Sequence, residues 1–268
     1  MNTKYLFYDI DGTIFPFGLD APQSAKDALK QAHENGHKLF LSTGRSPAEL
    51  DPRLNRIHFD GGIYCGGAVA YVGNEEIYSS VFTKEQVKEV IEIGTSRGWQ
   101  MLFQTKGRSV ISKDLVKTLT DLFMKSFGRK MKIENLVEVD EYPILDDVRK
   151  VCFWTPDDDV VSIREMLRGR YDVIDNTMGI PLECSAEIVL PGQSKAVGMR
   201  AILDYFGQDI SSSIAFGDGA NDIEIIRDAG IGVAMGNASD NLKAVADYVT
   251  DDILSDGLMK AMKHFEVC

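Results

Sequence analysis

The sequence predicts an α/β protein: a parallel sheet flanked by helices, interrupted by a second α+β module. Three observations carry this. The first and last thirds alternate strand-sized apolar runs with helix-periodic segments. Four polar clusters rich in Asp, Gly and Lys each close a predicted strand or open the next helix. The middle third breaks the alternation, with long polar links between its helices and strands.

The elements follow in order. Lys4 to Asp9 is a short apolar strand running into Asp-Ile-Asp-Gly-Thr. Ala21 to Asn35 has helical spacing (Ala25, Ala28, Leu29, Ala32), and Gly36 is placed to cap it. Lys38 to Thr43 is the next strand. Ser46 then reads as the N-cap of another helix with Pro47 at its first position, and Ile63 to Cys65 as a third strand. Asn74 marks a hairpin tip between Ala70 to Val72 and Ile77-Tyr78. Helices are expected over Lys84 to Arg97, Asp114 to Phe127 and Val160 to Leu167, with strands at Met101 to Gln104, Val148 to Trp154 and Ile188 to Leu190. The alternation resumes with a helix over Ser194 to Phe206, a strand over Ser213 to Gly217 and a helix over Asn221 to Ala229. Ile231 to Met235 and Tyr248-Val249 are strands, and Leu254 to His264 is a closing helix. Repeated strand–helix–strand units require a parallel sheet with helices on both faces. The expected boundaries are residues 1–80 and 189–268 for this core and 81–188 for the inserted module.

Composition narrows the function. The chain has 268 residues, 29 Lys+Arg against 41 Asp+Glu, and a formal net charge of −12. Such a chain repels phosphate backbones and anionic lipid, so neither nucleic acid nor a membrane is the expected partner. An anionic substrate needs a local positive charge, from a divalent cation or from a few placed Lys or Arg. No apolar run approaches the ~20 residues of a membrane span, and Asp9 interrupts the short apolar N-terminal run, so a cytoplasmic protein is expected. The four cysteines lack C-x-x-C spacing and read as reduced thiols.

The chemistry sits at the strand ends. In open α/β sheets, ligands bind outside the carboxyl ends of the strands. Asp9 and Asp11 close the first strand, alternate onto one side if it continues, and are followed by a turn-permitting Gly12. Two such carboxylates attract a hard divalent cation, with Mg²⁺ favoured. Beside phosphorus, one can act as nucleophile and the other as proton donor and acceptor. An Asp-Gly turn in an ordinary hairpin would look the same by itself. Ser42-Thr43-Gly44-Arg45 ends the next strand with a hydroxyl and a backbone N–H able to hold a phosphate oxygen, or forms a plain turn. Lys195 opens a helix, as many surface lysines do. Gly217-Asp218-Gly219-Ala220-Asn221-Asp222 could complete a metal site or merely cap a helix. On a parallel sheet all four clusters face one rim, and together they make the inventory that phosphoryl transfer needs.

In that order the motifs resemble the haloacid dehalogenase superfamily, and within it the Cof-like phosphatases, whose large α/β cap (type C2B) interrupts a Rossmann-like core. The similarity spans nearly the whole chain. It implies Asp9 as nucleophile, Asp11 as general acid/base with its carbonyl also on Mg²⁺, and Thr43, Gly44, Lys195 and Asn221 around the phosphoryl group. It further implies Asp218 as a metal ligand and Asp222 as its support; Arg45 matches the pattern without an assigned role. Asp11 favours ester hydrolysis, because dehalogenases of the superfamily lack an acid there and the ion pumps carry Thr. One departure stands out: Gly66-Gly67-Ala68 replaces the usual Asn-Gly-Ala.

The expected activity is a Mg²⁺-dependent phosphomonoesterase for a small phosphorylated metabolite, sugar phosphates first and FMN or pyridoxal phosphate next, working through an aspartyl-phosphate as a monomer. A phosphosugar mutase and a non-catalytic phospho-metabolite sensor are the alternatives, distinguished by bisphosphate activation and by the absence of turnover. Lys106, Arg108 and Arg129 are the middle-third cations that could reach a charged substrate, and each reads equally as a surface residue. His33-Glu-Asn-Gly-His37 spells a zinc-protease signature. Gly36 ends the helix that this motif requires, so it is read as a surface helix end. Asp157-Asp158-Asp159 reads as a solvated loop, and Trp99 and Trp154 as core residues.

Overall fold

A computed structural model describes residues 2–128, 135–176 and 184–268. The chain forms two compact units. Met1–Gly44, Asp51–Ser79 and Ser194–Cys268 make the first, and Arg45–Leu50 with Ser80–Gln193 the second.

The first unit is built on β1 (Tyr5–Tyr8), β2 (Lys38–Ser42), β3 (Gly61–Tyr64), β4 (Val69–Val72) and β5 (Glu75–Ser79), with β12 (Ser213–Gly217), β13 (Ile231–Ala234) and β14 (Tyr248–Val249). Their order is β14-β13-β12-β1-β2-β3-β4-β5. The six strands from β14 to β3 are parallel, and β4 and β5 are antiparallel additions. Buried on both faces, β1 is the continuous apolar run Tyr-Leu-Phe-Tyr. Tyr5 and Phe7 pack with Met199, Ile202 and Leu203 of α5 (Lys195–Tyr205) and Ile225 and Ile226 of α6 (Ile223–Asp228). Alternation sends Tyr8 to the other face, where its hydroxyl meets Met262 Sδ of α8 (Gly257–His264) at 3.7 Å. There α1 (Gln23–Glu34) buries Ala25, Ala28, Leu29 and Ala32, the stripe expected from the sequence.

The second unit holds β6 (Gln100–Thr105), β7 (Ser109–Ser112), β8 (Leu136–Val139), β9 (Val148–Trp154), β10 (Asp172–Asp175) and β11 (Ser185–Val189), in the order β10-β11-β9-β6-β7-β8. All pairs are antiparallel except β7 with β8. On β6, Met101 and Phe103 pack with α2 (Lys84–Ser96) and α4 (Val160–Leu167), while Leu102 packs with α3 (Lys113–Phe127). Trp99 is core, stacked on Phe153 with ring centroids 4.6 Å apart.

Several local expectations need correction. The helix expected from Ser46-Pro47 is one turn of 3₁₀, Pro47–Glu49, followed by a second, Pro52–Arg56. Ser46 stands at the N-cap and its N–H donates to Glu49 Oε2 at 3.0 Å, but its hydroxyl makes no hydrogen bond, and Leu50 and Asp51 are extended, as Asp51 before Pro52 tends to be. The closing helix is broken at Asp256, whose φ of +61° separates a 3₁₀ turn from α8. The segment from Asn221 starts as a 3₁₀ turn and becomes helical only at Ile223. The short strands β7, β8 and β10 and the one-turn α7 (Asp240–Lys243) were not expected. The acidic run 157–159 is more than a solvated loop: Asp159 accepts from the N–H groups of Val161 and Ser162 to cap α4, and Asp158 accepts from Trp99 Nε1 at 2.9 Å. Among the described residues, no helix is long and apolar enough to cross a membrane.

Candidate active site

The site lies at the carboxyl ends of β1, β2 and β12 and the start of α5. Asp9 N–H extends the parallel ladder by donating to Phe216 O at 2.9 Å, which sets the side chain just beyond the sheet. The chain then turns at once: Ile14 and Phe15 both donate to Ile10 O, and Gly12 adopts φ +94°. Only glycine suits that position, because a Cβ there would run into the Asp218 carboxylate.

Lys195 joins segments far apart in sequence. Its Nζ donates to Asp9 Oδ1 at 2.7 Å and to Asp222 Oδ1 at 2.6 Å, and the side chain is fully buried. Gly67 (φ +104°) lets the backbone after β3 press directly on the Ser194 carbonyl, where a Cβ would have no room, and so fixes the start of α5. The departure position Gly66 is also left-handed, but open space lies around its Cα, and its N–H donates to Thr43 O at 3.0 Å. A Cβ there would meet nothing within 4 Å.

Asp222 uses both oxygens. Oδ1 accepts from Lys195, and Oδ2 accepts from the N–H groups of Asp218 and Gly219 at 3.1 and 3.0 Å. It positions the Asp218 loop and the lysine together. Asp218 Oδ1 accepts from the Thr13 hydroxyl at 3.0 Å. Ligand oxygens of Asp9, Asp218 and Asp222 lie within 4.8 Å of one another. Asp222 Oδ1 is taken by the ammonium and Oδ2 by two N–H groups, so Asp9 and Asp218 are the carboxylates suited to a divalent cation, with an all-oxygen donor set that fits a hard ion.

Charge explains the site's electrostatics. Buried Asp9 and Asp222 share the one ammonium of Lys195, and half-buried Asp218 stands beside them. Burial pushes the Asp9 carboxyl well above its ordinary value; Lys195 opposes this, while Asp222, Asp218 and Asp11 add to it. Asp218 is raised to about 7, first by burial and then by Asp222. Burial by itself would lower Lys195, but Asp222 and Asp9 outweigh it and the ammonium is held charged. The site is short of positive charge, which a divalent cation would supply.

The structure thus brings Asp9, Lys195, Asp218 and Asp222 into contact. Asp11 is half-buried on the turn beside them, bridged to Phe15. Thr43 is buried at the end of β2, its N–H donating to Ile63 O at 2.9 Å, and Gly44 follows it. Asn221 sits half-buried in the 3₁₀ turn between Asp218 and Asp222. Arg45 belongs to the second unit, its Nη1 donating to Glu49 O at 3.4 Å. Lys106 and Arg108 are exposed in the second unit, and Arg129 lies outside the described residues. The HExxH segment is split by Gly36 at φ +87°, and His37 leaves the helix.

Two residues that support the site, and one buried acid within the second unit, escaped the sequence reading. Thr13 was seen only as part of its motif, though a hydroxyl two residues after Asp11 was a usable signal. Asn237, in a loop after the β13 run, carried no local signal in the sequence. Its Nδ2 donates to Gly12 O at 2.8 Å and its Oδ1 accepts from Ile253 N–H at 3.0 Å, tying the turn after β1 to the segment before α8. Glu49, buried in the second unit, accepts from Ser46 N–H at 3.0 Å, from Gln104 Nε2 at 2.6 Å and from the Ser109 hydroxyl. A capping-box Glu was its only trace in the sequence.

Known proteins agree with this architecture. The sequence pattern of the haloacid dehalogenase-like hydrolases matches residues 6–262. A 5-amino-6-(5-phospho-D-ribitylamino)uracil phosphatase of Bacillus subtilis, YitU, is 28% identical, covering 99% of both chains. The pyridoxal phosphate phosphatase YbhA of Escherichia coli is 25% identical, covering 96% of this chain and 97% of its own. The solved structure of BT4131, a subclass IIB sugar phosphatase, superposes with a TM-score of 0.81 at 32% identity, covering 99% of this chain and all of that one. With the match spanning nearly every residue and the acidic cluster in place, the chain belongs to the haloacid dehalogenase-like hydrolases, among their Cof-like phosphatases of small phosphorylated molecules.

Proposed function

We propose that the protein is a Mg²⁺-dependent phosphomonoesterase whose substrate is a small phosphorylated metabolite, a sugar phosphate first, and that it works through an aspartyl-phosphate. The observation that carries this reading is Asp9, buried at the end of β1 with Lys195 Nζ at 2.7 Å and Asp218 alongside. The relatives support the substrate class: sugar phosphatase BT4131 stands closest in identity of the three, while YitU and YbhA are named for other phosphorylated compounds. Residues 81–188 would then be the inserted cap that selects the substrate, with 1–80 and 189–268 as the catalytic core. The same reading makes it a monomeric cytoplasmic enzyme.

In this mechanism an Asp9 oxygen attacks phosphorus as the bond to the leaving alkoxide oxygen breaks. Asp11 gives its proton to that oxygen, then takes one from the water that attacks the phosphoryl-aspartate. Inorganic phosphate leaves and Asp9 is regenerated. Thr43, the Gly44 N–H and Asn221 hold the phosphoryl oxygens, and Lys195 offsets charge between Asp9 and the incoming group. Asp222 holds Lys195 and the Asp218 loop in register. The carboxylates of Asp9 and Asp218 and the Asp11 carbonyl would hold Mg²⁺, which when bound neutralises phosphoryl charge and keeps both carboxylates ionised.

The direct test is phosphate release from a panel of sugar phosphates, FMN, pyridoxal phosphate and nucleotides. Release is expected only with Mg²⁺ and lost in EDTA, with sugar phosphates ranked first. No release from any member would remove the reading. A second expectation follows from Asp218. A carboxyl raised in the folded state binds more protons there than in the unfolded chain, so the metal-free protein loses stability as pH rises from about 4 to about 7. Millimolar Mg²⁺ should therefore raise the thermal midpoint more at pH 8 than at pH 5.5. Equal shifts at both values would show that no raised carboxyl lies at the cation site.

A further inference from the structure

A second cluster of ligating side chains lies at the opposite rim of the first unit. His33 occupies the last turn of α1, and His58 and Asp60 belong to the link that enters β3. The two imidazole rings face each other, centroids 3.8 Å apart with planes 31° apart. His58 Nε2 is 3.8 Å from Asp60 Oδ2, and one ligand atom from each of the three residues lies within 4.8 Å of the others. His33 Nδ1 is buried and makes no hydrogen bond, a cost that a bound electrophile would remove. Asp60 is held in place: Oδ1 accepts from Lys38 Nζ at 2.7 Å and Oδ2 from Leu39 N–H at 3.0 Å, and with one donor on each, both oxygens keep a lone pair for an ion.

We infer that His33, His58 and Asp60 form a site for a borderline divalent cation such as Zn²⁺ or Ni²⁺, separate from the carboxylate site. The donor set makes the distinction. Two imidazoles and one carboxylate suit zinc and the later transition metals, whereas Mg²⁺ takes oxygen. Position keeps the sites apart. Asp60 and Lys38 stand where β3 and β2 begin, while the catalytic residues stand where the strands end, a strand length of about 13 Å away. The negative end of α1 favours a cation at His33. Ligands of one zinc sit roughly 3.3 Å apart, so binding needs a small closing movement. His58, half of whose side chain is exposed, is free to supply it by rotating out of the stack. Lys38 opposes the cation, but its side chain is 39% exposed and can turn to water. The ion would clasp the end of α1 to the start of β3.

The chain has four histidines, so the ring resonances of His33, His37, His58 and His264 can be followed by NMR as Zn²⁺ is added in excess Mg²⁺. Shifts confined to His33 and His58, saturating at one equivalent, are expected. In chelator competition, His33→Gln and His58→Gln should each weaken Zn²⁺ binding by about tenfold or more, while Asp9→Asn leaves it unchanged. Unchanged binding in both histidine variants, or loss of binding in Asp9→Asn, would overturn the site. Because His58 is exposed, its variant is expected to keep the wild-type circular dichroism and turnover, and it decides the matter if His33→Gln fails to fold.

Discussion

Asp9→Asn is expected to abolish phosphate release, by on the order of 10⁴-fold or more, while leaving the protein folded. The amide has nearly the shape of the carboxylate but cannot attack phosphorus. The fold should tolerate it because Asp9 is a buried carboxyl whose proton affinity is already raised, and Lys195 keeps Asp222 as a partner. Substrate should still bind, since Thr43, Gly44, Lys195 and Asn221 are untouched. The variant should therefore separate turnover from binding, with substrate affinity read by calorimetry and phosphate release by a colour assay. Activity that survives would exclude Asp9 as nucleophile. Wild-type binding without turnover would favour a sensor, and turnover that requires a bisphosphate activator would favour a mutase.

Lys195→Met should have the largest effect on stability, about 3–5 kcal/mol, as expected when one partner of a buried ion pair is removed. The lysine is fully buried and holds two carboxylates at 2.7 and 2.6 Å. Without it Asp9, Asp218 and Asp222 crowd together with no ammonium. The sign of the pH dependence follows. Asp9 and Asp218 already have raised proton affinity, and losing Lys195 raises it further, since Lys195 opposes both shifts. Carboxyls of this kind cost stability as pH rises through the interval between their ordinary and folded values. Denaturant unfolding in EDTA should thus show a defect greatest near pH 8 that shrinks toward pH 5. Adding Asp9→Asn to Lys195→Met should restore part of the loss, because one of the unpaired charges disappears. A defect independent of pH, with no relief in the double variant, would mean that Lys195 matters for packing and not for charge.

Short-range pattern made much of this molecule legible. The ends of β9, β12 and α4 match the reading residue for residue, because each is a continuous apolar or amphipathic run bounded by polar breakers. The runs β7, β8 and β10 were not legible. They are four residues long, carry Ser, Glu or Asp, and gain strand geometry only from the neighbours they pair with. The false helix after Ser46 shows the converse. Its proline signal was correct and Glu49 reaches back to Ser46 N–H, but the chain had to extend at Asp51 before Pro52.

What the sequence determined alone is the residue inventory and its placement at strand ends: Asp9 and Asp11, Thr43 and Gly44, Lys195, Asp218 and Asp222. Those positions follow from local periodicity, which any segment carries by itself. Tertiary structure alone decided who touches whom. Lys195 reaches across 186 residues to Asp9, Asp222 gives both its oxygens to the lysine and the loop, and Asn237 pins Gly12 across 225. His33 likewise leaves its apparent motif partner His37 to lie against His58. Such contacts depend on the parallel order of the strands and on close backbone approach at Gly12 and Gly67, which exist only once the sheet has formed.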